Sequence, residues 1–155
     1  MRGGYAIADE PEASRLAHLT VRPSMPLLAL MLGGAWIAWP WFALNAYAMG
    51  SPTRRRELAL AIAGFLGGVV LAALVVGLHA GEIIDTRVAR YLVIGVIVFK
   101  LGGGYVIHAL QSRTFAVYEH FGGAVRSGRM VLIGSLIVRV MILVGLGDFW
   151  SLVLG

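Results

Sequence analysis

Residues 58–80 read LALAIAGFLGGVVLAALVVGLHA, an aliphatic run without a single charged side chain. A hydrocarbon core of about 30 Å takes roughly 20 apolar residues in helical form, and a helix satisfies its own backbone there. The stretch is therefore expected to be a membrane-crossing α-helix. Its glycines add a second expectation. Gly64 and Gly68 are one turn apart with Gly67 beside them, and Gly77 lies further along. At roughly 100° per residue, Gly64, Gly68, Val75, His79 and Glu82 fall within about one quadrant. Small residues at such spacing let helices approach closely, so Gly64, Gly67, Gly68 and Gly77 are assigned to helix packing, together with Gly104 on the next segment.

Working outward, three more segments have the length and character of spans, over about 26–49, 88–110 and 130–152. The whole chain is 59% hydrophobic and 14% charged, the reverse of a soluble domain. The expectation is an all-α, polytopic integral membrane protein: an N-terminal tail over 1–25, with a short interfacial helix somewhere in 12–21, and one membrane domain over 26–155 forming a four-transmembrane-helix bundle. The 26–49 segment is too long for a signal peptide, and acids precede it, so it is kept as a helix. Pro40 removes the N–H that would bond the Trp36 carbonyl, which predicts a kink. Asn45, the strongly polar side chain of that segment, is expected to hydrogen-bond a neighbouring helix.

Two cations interrupt the apolar pattern. Lys100 stands near the centre of the third segment and Arg139 near the middle of the fourth, each about ten residues from an end. A charge at mid-membrane costs about 2.5–3.5 kcal/mol on insertion scales, so it faces a pathway, a partner or a route to the headgroups. On antiparallel helices the two head groups reach the same depth. Lys100, Gly104, His108 and Gln111 form one polar stripe, whereas Ser135 precedes Arg139 by a turn and Asp148 points away from it. Lys100, Arg139, His108, Gln111 and Ser135 are thus the candidates for a pathway or buried-charge site. Two unneutralised cations favour anions. Pairing with Glu82, Glu119 or Asp148 is the alternative.

The loops carry the remaining charge. Arg54, Arg55, Arg56, Arg126 and Arg129 suit anionic lipid headgroups, and the aromatic and basic residues of 111–129 suit an interfacial connection. Four alternating spans put both termini and 81–90 on one side, with five basic residues, and the Arg54 and Arg113 loops on the other, with six. That small bias, read by the positive-inside rule, puts the termini outside a bacterial inner membrane. Asp148, Phe149 and Trp150 read as an interfacial belt.

Chemistry is sparse. The chain has no cysteine, which removes thiolate metal sites, disulfides and cysteine nucleophiles. Its four histidines make no HxxxH pair, no GxSxG occurs, and Gly102–Gly104 follows no strand, so neither metal, cofactor nor nucleotide loop is expected. The net charge of +5 is ascribed to topology and lipid, since no nucleic-acid-binding module is present. The function expected is an oligomeric channel or small transporter passing a small anion. A non-catalytic subunit of a larger membrane complex is the alternative, and a membrane-bound enzyme a distant third.

Overall fold

The computed structural model describes residues 14–145 and Leu152. The described residues are helical apart from short connections and one isolated parallel bridge between Val21 and Arg126. A 3-10 turn, Ala17–Leu19, leads into five helices: α1, Ser24–Leu32; α2, Ala35–Ala48; α3, Arg54–Ala80; α4, Thr86–His120; and α5, Arg129–Gly145. Two of them, α3 and α4, are long and apolar enough to cross a membrane. The expected belt at Asp148, Phe149 and Trp150 lies outside the described residues, as does the tail up to Ala13.

The first segment departs from the single helix expected over 26–49. It is a helical hairpin. α1 ends at Leu32, where the N–H groups of Gly33 and Gly34 both donate to the Ala29 carbonyl, at 2.7 and 2.8 Å. Gly34 then takes φ 98°, ψ 175°, a backbone conformation closed to side chains with a Cβ, and α2 starts at the next residue. Folding back brings the start of the segment to its end: the Val21 N–H donates to Asn45 Oδ1 at 3.0 Å. Had the segment been one straight helix, those residues would stand roughly 36 Å apart. Pro40, where the kink was expected, lies inside α2 without ending it. The turn falls at the glycine pair because Ser135 of α5 occupies the place a Gly33 side chain would need.

Two further boundaries move. α3 begins at Arg54, not Leu58, so Arg54, Arg55 and Arg56 form its first turn. Glu57 is buried behind them, accepting hydrogen bonds from Ser51 Oγ at 2.5 Å and Thr53 Oγ1 at 2.7 Å, a carboxylate well placed at a helix N-terminus. α4 begins with Asp85 accepting from the Val88 N–H at 2.7 Å and runs through Gly102, Gly103 and Gly104. It also continues ten residues past its expected end at Leu110, through what was read as a loop. No glycine or proline interrupts 111–120, and Gln111, Phe115 and Tyr118 give that extension a buried face.

The hairpin seats in the angle between α3 and α4, where glycines make the room. The Trp39 ring lies where Cβ atoms on Gly64 and Gly103 would sit, at 2.5 and 3.1 Å, so one indole is held between the two long helices. Phe99 fills the space beside Gly67, and Leu30, Leu27 and Phe42 converge on Gly104. A Cβ added at Gly77 would meet no described atom of a neighbouring element within 4 Å, so no described helix packs against it there. Outward, Leu66, Val70, Leu74, Ile94, Val98 and Met141 are each more than half exposed.

This arrangement reassigns the ends of the bundle. The turn before α1, the connection from α2 to α3, and the connection from α4 to α5 meet at one end. There, the Arg126 N–H donates to the Thr20 carbonyl at 2.7 Å, and the Tyr118 hydroxyl to those of Ala17 and Ala124, at 3.3 and 3.1 Å. The start of α1 therefore lies on the same end as Arg54, where four alternating spans would have put it opposite. Among the described residues, the turn from α3 to α4 is the connection at the far end.

Candidate functional site

The hairpin fills the bundle from one end only as far as its tip at Gly33–Gly34. Beyond the tip, a cavity of about 670 Å³ is bounded by Leu30 and Met31 of α1, Val75, Val76 and His79 of α3, Ala89, Val93, Ile97, Lys100 and Leu101 of α4, Arg139 of α5, and Leu152. It reaches from Lys100 to Ala89 beside the α3–α4 turn, which along a helix is roughly 16 Å, about half a bilayer core. Ligand sites commonly occupy roughly 300–1,000 Å³ with apolar walls and a few polar groups, and this space has that character.

Its polar side chains are the two cations, with His79 at the far end. Lys100 is buried, its stem against Gly68, where a Cβ would stand 3.4 Å from Cγ. Its Nζ donates to the Leu152 carbonyl at 3.0 Å. Arg139 donates from Nη1 to the Met31 carbonyl, also at 3.0 Å. Met31 belongs to the last turn of α1, whose carbonyls lack intrahelical partners, and a cation there meets the negative end of the helix dipole. The break in the first segment thus gives Arg139 a partial counter-charge that a continuous helix would not offer. One of the five guanidinium N–H donors is used in that bond. The described residues lining the cavity include no Asp or Glu.

The other sequence-derived candidates lie elsewhere. Gln111 is fully buried in the packing between hairpin and α4: its Nε2 donates to the Phe42 carbonyl at 2.7 Å and its Oε1 accepts from Asn45 Nδ2 at 3.1 Å. With the Val21 N–H on Asn45 Oδ1, this set pins both ends of the hairpin to α4. Asn45 therefore bonds a neighbouring helix, as its position implied. Ser135 packs against Gly33, and its hydroxyl donates to the Leu132 carbonyl at 2.8 Å. His108 sits against Tyr105 at a ring-centroid distance of 6.1 Å. None of these three lines the cavity.

His79, which helical period places on one face with Gly64, Gly68 and Val75, does line it, with Nδ1 3.3 Å from the Ile84 carbonyl at the far end. Its placement on the Gly64–Gly68–Val75 face was the available signal. Leu30 and Met31 were missed because their contribution depends on the hairpin turn. Arg54, Arg55, Arg56, Arg126 and Arg129 gather at the hairpin-bearing end, where Arg22 and Glu119 also meet in an exposed ion pair at 3.8 Å. Among the described residues no group of three or more His, Asp or Glu side chains is arranged to hold a metal ion.

No protein-family model, curated protein or solved structure matches this chain.

Proposed function

We propose that this chain is a small membrane protein of channel or transporter type that takes up an anion at Lys100 and Arg139. The observation that carries the reading is the presence of both cations, Lys100 and Arg139, in the lining of one cavity. In the arrangement we favour, α3, α4 and α5 cross the bilayer and the α1–α2 hairpin re-enters from one side, standing in for the fourth span. Exposed aliphatic residues along all three crossing helices support this, since lipid solvates such surfaces and water does not. Broken helices that end at mid-depth, with their dipoles aimed at charge, are a recurrent way of building ion and substrate sites inside membranes.

The same arrangement orients the protein. With the hairpin folded, Arg15, Arg22, Arg54, Arg55, Arg56, Arg113, Arg126 and Arg129 belong to one end, against Arg87 and Arg90 at the other. The near-balance of the sequence count becomes eight against two. By the positive-inside rule the hairpin-bearing end is cytoplasmic, together with the start of α1, and anionic headgroups answer its arginines. The inner membrane of a bacterium is the setting proposed.

Reconstitution into proteoliposomes tests the reading. Anion uptake is expected to fall at least about tenfold with Arg139→Gln or Lys100→Met, as loss of a charge-assisted contact implies. Uptake unchanged in both folded variants overturns it.

A second reading has its own support. Ser135 is the only buried residue that the described part of α5 contributes, so most of that helix is left to lipid or a neighbouring helix. Self-association through α5, or its docking in a larger complex as an accessory subunit, uses that surface. Native mass spectrometry from mild detergent distinguishes a homo-oligomer from a complex with other subunits.

A further inference from the structure

We infer that the anion taken by this cavity is the carboxylate of a single long hydrocarbon chain, a fatty-acid anion drawn from the bilayer. The inference rests on the anion-site reading above and narrows its ligand class.

Wall chemistry is the first argument. Between the two cations and His79 at the far end, Leu30, Val75, Val93, Ile97 and Leu101 offer no hydrogen-bond partners, so a small hydrated anion loses water along that stretch of wall without replacement. A hydrocarbon chain gains from the same walls, about 0.8 kcal/mol for each methylene removed from water. The second argument is the placement of charge. Both cations sit at the hairpin-tip end, and a long aliphatic stretch separates them from His79 and Ala89 at the far end, so charge and apolar wall are segregated as in an amphiphile. Arg139 keeps donors beyond the one used on Met31, and a guanidinium fork matches the two oxygens of a planar carboxylate. The third argument is access. Among the described residues α5 packs chiefly on α1, so a seam between it and the long helices flanks the cavity on that side. A ligand already dissolved in the bilayer enters through such a seam without crossing water. A space of this volume holds one chain and not the pair carried by a phospholipid.

The test uses the full chain in nanodiscs of zwitterionic lipid, titrated with palmitate carrying a carbon-13 carboxyl and followed by its NMR signal. Expected is saturable binding of one palmitate per chain, weakened at least about tenfold by Arg139→Gln, as for a lost hydrogen bond to a charged group. Hexadecanol, the same chain without the charge, is expected to compete at least about tenfold more weakly. Val93→Trp, which fills the cavity and keeps both cations, is expected to abolish binding while the protein retains its helical circular dichroism. Failure of palmitate to bind, or binding indifferent to both Arg139→Gln and Val93→Trp, overturns the inference. Acetate and chloride separate that failure from failure of the parent reading. If they bind in an Arg139-dependent way and palmitate does not, the anion site stands and the fatty-acid assignment falls. If no anion binds, both fall.

Discussion

The two halves of the bundle use the same long helices to opposite ends. Towards the cytoplasmic end of our proposal, a hairpin packs closely into the angle between α3 and α4. Trp39 occupies the glycine slots at Gly64 and Gly103, Leu30 and Phe42 press on Gly104, and Asn45 and Gln111 satisfy one another and the backbone. Past Gly33–Gly34 the same pair of helices presents Val75, Val93 and Ile97 to open space. Both halves of the two helices are rich in aliphatic residues. What differs is whether a third element of complementary shape is present, so packing and cavity are set by where one short hairpin stops.

Substitutions that invade the packed half separate the two most sharply. Gly64→Leu drives a side chain into the Trp39 ring and is expected to cost about 3 kcal/mol, the upper range for overpacking. Reversible denaturant unfolding in mixed micelles measures it, and a loss below about 1 kcal/mol would show that the slot is soft.

Next in size is Asn45→Ala, which strands the Val21 N–H and the Gln111 carbonyl oxygen in a buried site. A cost of about 2 kcal/mol is expected by the same measurement, in line with unsatisfied buried groups.

Gly34→Ala follows, at roughly 1–2 kcal/mol, because an L side chain is forced into a positive-φ conformation. The informative readout is accessibility. Cysteines introduced one at a time at Arg22 and at Arg54 are expected to react with a membrane-impermeant maleimide from the same face of the vesicle. Labelling from opposite faces would restore a continuous first span.

Val93→Phe in the hollow half is expected to change stability by less than about 0.5 kcal/mol while reducing anion binding, since the added ring enters space that no side chain holds. A stability loss like that of Gly64→Leu would mean that this half is packed after all. Gly77→Ala should be the mildest, neutral or stabilising by up to about 1 kcal/mol, because its Cβ meets nothing within 4 Å and alanine favours the helix.

Particular residues show how far local sequence reaches. The helical, apolar character of 58–80 was legible because a charge-free run of that length has few other solutions, and α3 ends at Ala80, where the run ends. The face through Gly64 and Gly68 was legible for the same reason, since helical periodicity alone places them together. Pro40 removes one hydrogen bond and lies inside α2 without ending it. The glycine pair at Gly33–Gly34 was the better pointer, because a Gly-interrupted apolar segment marks a broken helix as readily as a packed one. Nothing within 26–49 distinguishes those outcomes. Ser135 and the Asn45–Gln111 pair do, and they act from distant parts of the chain or across the fold.

The sequence by itself determined that most of this chain is helical and apolar, with long runs suited to a bilayer, and that two cations interrupt those runs. Hydrophobicity and helical period are local properties, read a few residues at a time. Only the tertiary structure decided that the first run doubles back, that Gln111, His108 and Ser135 stand apart from the cavity, and that Lys100 and Arg139 share it. The physical reason is that a cavity is made by what fails to fill it. The tip of α1 ends near Lys100, its free carbonyl holds Arg139, and the space left below belongs to no single stretch of sequence.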